Sequence, residues 1–244
     1  MNRNCLSYWF PKIEAAGLPV PETRIVVYPI KGEDGLFALL DGKIPSGWEP
    51  FLENLRIAIH AIGGVPCFLR TGQTSGKHYW IKTCYLADLA DLGQHIYELV
   101  EFSECCNFIG LPHDVWVVRK LLNTAPIFKA FRGFPVVREF RAFVDSGKLA
   151  CVHPYWPADS IEDHTEEVDW QSKLSLASEL GTDRDAVGDL AIRAGAVLPG
   201  AWSVDLLQDA TGKWWVTDCA DAGCSFHWEG CENKEKWLHQ PLAE

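Results

Sequence analysis

The chain has 244 residues, 48% of them apolar, and its 22 lysines and arginines against 33 aspartates and glutamates leave a formal net charge of -11. That length and apolar content suffice for a substantial core in one large domain or two small ones. The acidic balance excludes loose, non-specific attraction to nucleic acid or anionic membrane as the basis of function, while leaving room for a local basic cleft. No run approaches the length of a membrane span, and the opening Met1-Asn-Arg-Asn-Cys-Leu-Ser-Tyr-Trp9 lacks the apolar core of a secretory signal, so a cytoplasmic location is expected. The nine cysteines are odd in number and include the adjacent Cys105 and Cys106, which reads as reduced thiols rather than a disulfide framework.

Tyr8 to Gly17 reads as a short helix ended by glycine, and Thr23 to Pro29 as a strand. Phe51, Leu55, Ile57, Ala58, Ala61 and Ile62 recur near helical spacing within 49–62, and Gly63-Gly64 stops that helix. Val65 to Leu69 follows as a buried strand, which gives the strand, helix, strand order of a small α/β unit. Thr71 to Tyr79 is a loop of small residues, 86–102 an amphipathic helix and 114–122 a strand. Residues 136–144 and 148–155 predict a hairpin around Asp145-Ser-Gly147. The run 159–169 holds six acids and reads as a solvated loop, with helices near 170–180 and 183–196 beyond it. A last hairpin joins Trp202–Leu207 to Trp214–Asp218 through Asp-Ala-Thr-Gly turn residues, and the tail after Cys231 is polar and expected to be loosely held.

Asp205 and Asp218 lie inside the otherwise water-avoiding strands of that last hairpin. A buried carboxylate needs a partner or it protonates. Two on adjacent strands repel unless a cation lies between them, and an oxygen-only pair without a nearby histidine suits magnesium better than zinc. The competing reading is two acids at strand ends that reach water. Arg70 and Lys77 flank the loop Thr71-Gly-Gln-Thr-Ser-Gly76, whose small residues let backbone amides approach an anion. Alternation separates Arg119 from Lys120, so one of them faces a core or cleft. Glu139 and Arg141 share one strand face, as site residues or as a simple ion pair. Cys219, Cys224, His227 and Cys231 are candidate zinc ligands, but they lack the paired short spacings of common zinc modules, and buried or incidental thiols are the preferred reading.

Taken in order, these segments resemble the cell division cycle protein 123 family of the ATP-grasp superfamily and its shorter bacterial and phage relatives. The stretch Gly63-Gly-Val-Pro-Cys-Phe-Leu-Arg70, the serine-containing loop to Lys77 and then Trp80-Ile81 is similar to that family's double glycine, strand, basic residue, loop, lysine and Trp-Ile. Val117-Val-Arg-Lys120 resembles its Leu-Arg-Lys strand, and Glu139-Phe-Arg-Ala-Phe-Val144 its Glu-Phe-Arg-Cys-Phe-Val. Asp205 and Val216-Thr-Asp218 fit its closing hairpin. The resemblance implies an α+β ATP-grasp fold: a small N-terminal α/β unit over 1–66, an N-terminal ATP-grasp subdomain over 67–122 and a C-terminal one over 123–244, with ATP clasped between the last two. It implies that Arg70, Lys77 and Arg119 contact phosphates, that backbone near Lys120, Leu121 and Leu122 reads adenine, and that Ser75 and Glu139 complete the ATP-binding set. Arg141 would neutralise developing charge, and Asp205 and Asp218 would hold Mg2+. Where the family has asparagine two residues after the second acid this chain has Ala220, with Asp221 next to it as a substitute ligand.

Two functions follow from that resemblance. One is a ligase that activates a carboxylate as an acyl phosphate for capture by an amine or other nucleophile. The alternative is an ATP-dependent binding or assembly protein whose partner is another protein. Ligase is preferred, because the chain is shorter than the chaperone family's members and departs from them at Ala220.

Overall fold

Helix α1 (Leu6–Ala15) buries Leu6, Trp9, Phe10 and Ile13 at three- and four-residue spacing, and Gly17 follows it with a φ of 66° that an L side chain resists. The computed structural model describes residues 2–106 and 110–238. The chain divides into a C-terminal unit (Met1–Val20, Asn123–Ala130 and Pro135–Glu244) and a central unit (Pro21–Leu122 and Phe131–Phe134).

The central unit is a four-stranded antiparallel sheet under two helices. After β1 (Thr23–Val27), helix α2 (Trp48–Ala61) buries Phe51, Leu52, Leu55, Ala58 and Ile59. The strands β2 (Cys67–Thr71) and β3 (Tyr85–Leu86) follow, then α3 (Leu92–Cys105), which buries Leu92, Ile96, Leu99 and Val100, and then β4 (Val115–Lys120). Strand order is β1-β4-β2-β3. The helix stripes meet Cys67, Leu69, Leu86, Trp116 and Val118 from one face of the sheet in a single core. The boundary expected between residues 66 and 67 runs through this unit, because β4 is bonded to β1 on one side and β2 on the other. Helix α3 starts later than its apolar pattern predicts: Tyr85 and Leu86 pair with β2, and Asp88 caps an intervening turn by accepting from the Ala90 N–H at 2.9 Å.

The short strand β5 (Phe128–Ala130) pairs with β6 (Phe134–Val136), so the strand predicted over 136–144 is split. The main sheet of the C-terminal unit is built from β7 (Glu139–Asp145), β8 (Lys148–Pro154), β9 (Ala201–Gln208) and β10 (Trp214–Asp221) in the antiparallel order β10-β9-β7-β8. Helices α4 (Trp170–Ala177) and α5 (Arg184–Ala196) lie between β8 and β9 in sequence, and α6 (Lys234–Leu238) follows β10. The acidic run 159–169 forms short turns around a fully buried Ile161. The loosely held tail expected after Cys231 lies, beyond residue 238, outside the described residues. Residues 2–20 pack here rather than with the central unit: Tyr8 stacks on Trp202 at 6.1 Å, and the Val216 N–H donates to the Pro19 carbonyl at 2.8 Å.

Two local devices set the site's frame. At the β9–β10 turn, Asp209 Oδ1 accepts from the Thr211 hydroxyl at 2.7 Å and from the Thr211 and Lys213 amides at 2.8 and 3.1 Å, while Oδ2 accepts from Trp215 Nε1 at 2.8 Å. These donors, the Thr211 hydroxyl first among them, hold the Asp209 carboxyl down at about 2. Helix α5 buries the stripe Val187, Gly188, Ala191, Ala194 and Gly195, small residues that let it approach the sheet closely. A Cβ at Gly195 would sit 2.7 Å from Val144 Cγ2 and 3.0 Å from Val144 Cβ. Gly195→Ala is therefore expected to cost about 1–3 kcal/mol, since a β-branched partner on a sheet strand cannot swing away. Thermal unfolding of the variant measures this, and an unchanged midpoint would mean that α5 shifts without cost.

Candidate functional site

Three predicted site residues form one row across three adjacent strands. In the sheet register Arg141 on β7 is opposite Asp205 on β9, which is in turn opposite Asp218 on β10. Directly opposed residues share a sheet face. Arg141 grips Asp205 with a two-pronged ion pair, Nε to Oδ1 at 2.7 Å and Nη2 to Oδ2 at 2.9 Å. The guanidinium lies over the Tyr155 ring, 4.8 Å from its centroid. Burial by itself would lower the Arg141 pKa, but Asp205, with Tyr155 and Glu139 behind it, more than offsets that and holds it above its ordinary value. Glu139 lies two residues before Arg141 on the same face and is buried.

Asp218 reaches this face through an irregularity. The register passes from Val216 opposite Leu206 to Asp218 opposite Asp205, so Thr217 is an extra residue bulged out of β10. Beyond the bulge, Asp218 and Ala220 alternate onto the Asp205 side, whereas Cys219 and Asp221 turn to the other. Asp221 Oδ1 accepts from the Gly223 N–H at 3.1 Å, and Oδ2 is 3.4 Å from Arg3 Nη1. The structure thus groups Asp205 and Asp218 and sets Asp221 apart from them. Asp205 and Asp218 fit a hard divalent cation: all their donors are oxygen, and a carboxylate offers about four lone-pair sites, so Asp205 retains acceptor capacity after taking two N–H groups from Arg141.

The central unit holds the other predicted cations. Arg70 on β2 is opposite Val117, and Arg119 on β4 is opposite Phe68, so both arginines lie on the face away from α2 and α3. Each is only 5% exposed, whereas Lys120 is exposed, as alternation predicts. Ser75 and Lys77 belong to the connection after β2. Thr71 Oγ1 accepts from the Thr74 amide at 3.0 Å and the Gln73 amide at 3.3 Å, and Gly72 N–H donates to the Val115 carbonyl at 2.7 Å. Those amides serve the unit's own oxygens rather than an anion as the loop stands. His78 stacks on Phe131 at 4.2 Å, a contact that no local sequence signal announces. Leu121 and Leu122, half-buried, lead out of β4 to the point where the two units part.

Zinc-type ligands also regroup. His227 and Cys231 come together with Cys151 and His153, not with Cys219 and Cys224. The available signal was Cys151-Val-His153, two ligand types on one strand face.

The sequence matches the model of an ATP-grasp domain, family 3 of its clade, over residues 61–237, and the chain belongs to that family. Its fold is accordingly ATP-grasp, of α+β class. The C-terminally truncated Cdc123 of Schizosaccharomyces pombe is structurally similar, with a TM-score of 0.56 at 14% identity, covering 90% of this chain and 83% of that one. The ATP-grasp ligase PsnB complexed with minimal precursor gives a TM-score of 0.45 at 14% identity over 95% of this chain and 56% of that one. A RimK domain ATP-grasp protein from Sphaerobacter thermophilus gives 0.44 at 14% over 89% and 58%. The chain spans little more than half the length of those last two. No curated protein matches in sequence. Among the described residues no helix is long and apolar enough to cross a membrane.

Proposed function

We propose that this protein binds ATP with Mg2+ and acts as a ligase, activating a substrate carboxylate as an acyl phosphate. The observation that carries the reading is the row Arg141, Asp205 and Asp218 on three neighbouring strands of one sheet face, in a chain of the ATP-grasp family. Asp205 and Asp218 would hold the cation, which supplies charge neutralisation at the phosphate oxygens. Arg141, fixed by its two bonds to Asp205, presents a permanent positive charge beside it. Arg70, Arg119 and Lys77 would bind phosphates, with Ser75 and Glu139 in the same nucleotide set and the Lys120–Leu122 backbone against adenine. A carboxylate oxygen of the substrate attacks the γ-phosphorus, the bond to the β-γ bridging oxygen breaks and ADP leaves. An amine or other nucleophile then attacks the acyl carbon and inorganic phosphate departs. Such chemistry asks for positioned charge and exclusion of water rather than a nucleophilic side chain.

The test is ADP release across pools of carboxylates and amines, with the same protein offered to cell extract for ATP-dependent protein capture. Ligase activity predicts ADP formed in proportion to a new amide or ester, and only with both acceptors present. ATP occupancy that is indifferent to acceptors, with a captured protein that Asp218→Asn no longer binds, would favour the assembly-protein reading instead. In that case partner and nucleotide would change each other's affinity by the same factor.

A further inference from the structure

Strand β8 carries Cys151 and His153 two residues apart, opposite Phe143 and Arg141 of β7, so both lie on the sheet face of the acidic row. The chain returns to that face after β10. His227 is buried and stacks on Phe143, ring centroids 4.0 Å apart and planes at 17°. Trp228 Nε1 donates to the Pro154 carbonyl at 2.9 Å and Asn233 Nδ2 to the Ala150 carbonyl at 3.3 Å, which lays the segment along β8 and brings Cys231 to the same point. One ligand atom from each of Cys151, His153, His227 and Cys231 lies within 4.8 Å of every other.

The separations are informative. His227 Nε2 is 3.2 Å from His153 Nε2 and 3.4 Å from Cys151 Sγ. A neutral imidazole nitrogen has either one proton or one lone pair, so three polar atoms converging on one point exceed what hydrogen bonding satisfies. A cation at their centre satisfies all of them. Zinc lies about 2.3 Å from sulfur and about 2.0–2.1 Å from nitrogen, which sets tetrahedral edges of about 3.3 Å between nitrogens and about 3.6 Å between nitrogen and sulfur. The observed edges fall within a few tenths of an ångström of these. A sulfur and nitrogen donor set selects zinc over the oxygen-seeking magnesium of the proposed nucleotide site.

We propose that Cys151, His153, His227 and Cys231 form a closed, four-ligand structural zinc site that fastens the segment after β10 onto β8. Its sequence form is Cys-x-His on a strand and His-x-x-x-Cys in the returning segment, with the two halves joined only by the fold. The site shares no residue with the carboxylate row but adjoins it: His153 is opposite Arg141 in the sheet register, and Arg141 Nη1 is 3.5 Å from the Phe226 carbonyl oxygen.

The experiment is metal analysis of the full chain by mass spectrometry after dialysis, with Co2+ exchanged in as a spectroscopic probe. One zinc per chain is expected, and the cobalt form should show intense tetrahedral bands with thiolate charge transfer. Cys231→Ser and Cys151→Ser should each lose most of the bound zinc, whereas Cys224→Ser, an exposed thiol outside the cluster, should keep all of it. Should a ligand variant fail to fold, the parent serves: chelation should lower its melting temperature and Zn2+, not Mg2+, should restore it. Full zinc content in both ligand variants, a six-coordinate cobalt spectrum, or a Cys151–Cys231 disulfide with no bound metal would each overturn the assignment.

Discussion

Asp205→Asn is expected to lower both thermal stability and Mg-ATP affinity, whereas Asp218→Asn is expected to act chiefly on the affinity. Asp205 is 6% exposed and receives both prongs of the Arg141 fork. Asparagine there withdraws the negative charge and turns an N–H2 group toward a guanidinium that only donates. Breaking a buried ion pair from one side costs about 3–5 kcal/mol, because the remaining charge has lost its partner away from water. For a chain of this size that is a fall in melting temperature on the order of 10 °C. Asp218 is half-buried, and its Oδ1 accepts from the Cys219 amide at 3.1 Å, a bond that the asparagine oxygen can keep. What asparagine withdraws there is the charge offered to a cation. Thermal melts and nucleotide titrations of both variants separate the two effects. Parent-like Mg-ATP affinity in both would remove these acids from the metal site, and a parent-like melting temperature for Asp205→Asn would show that the Arg141 pair contributes nothing to the fold.

Mg-ATP is expected to raise the melting temperature of the parent by roughly 5–10 °C when present at about a hundred times its dissociation constant. Linkage sets the gain at about 2.7 kcal/mol for a ligand that binds only the folded state, and the conversion follows from the entropy of unfolding of a domain this size. ATP with a chelator should give a much smaller shift, because the phosphate charge then meets Asp205 and Asp218 without a cation between them. Mg2+ alone should do little, since two carboxylates, one already engaged by Arg141, are a weak cage for a strongly hydrated ion. A flat response to every nucleotide would sink the proposed function while leaving the zinc assignment intact, because that rests on other residues and another metal.

Local pattern made much of the fold legible. The stripes of α2 and α3, the double glycine after α2 and the Asp-Ala-Thr-Gly turn each act within a few residues, where periodicity and turn chemistry are decisive. What escaped was non-local or faint. The insertion of β4 between β1 and β2 is a pairing choice that no segment records by itself, and β5 and β6 are too short to show alternation. The stripe of α5 is made largely of glycine and alanine, so its buried face has little hydrophobic contrast although it packs closely. Among site residues, the separation of Arg119 from Lys120 onto opposite faces followed from alternation, though not which of the two is buried. The partnership of Cys151 and His153 with His227 and Cys231 did not, because it joins positions 74 residues apart, as between His153 and His227. Asp221 was offered as a stand-in for the missing asparagine by proximity in sequence, and the strand turns it to the opposite face.

The bulge at Thr217 acts as a parity switch for the whole end of β10. Continued without it, the ladder from Trp214 and Val216 would set Thr217 opposite Asp205 and carry Asp218 to the helix-packed side, where Val216 and Cys219 are buried. The hairpin therefore has two stretches with unequal tolerance to changes in length. Residues added in the turn around Asp209 to Lys213 lengthen a loop and leave the strands' count untouched. Removing Thr217 itself restores an unbroken ladder and keeps Asp218 opposite Asp205, whereas one residue added between Asp218 and Cys219 exchanges inside for outside along the rest of the strand and turns the core thiol of Cys219 to the acidic-row face. Changes in length are therefore tolerated in the turn and at the bulge itself, while from Asp218 onward the count of odd and even has to be kept for the site to survive.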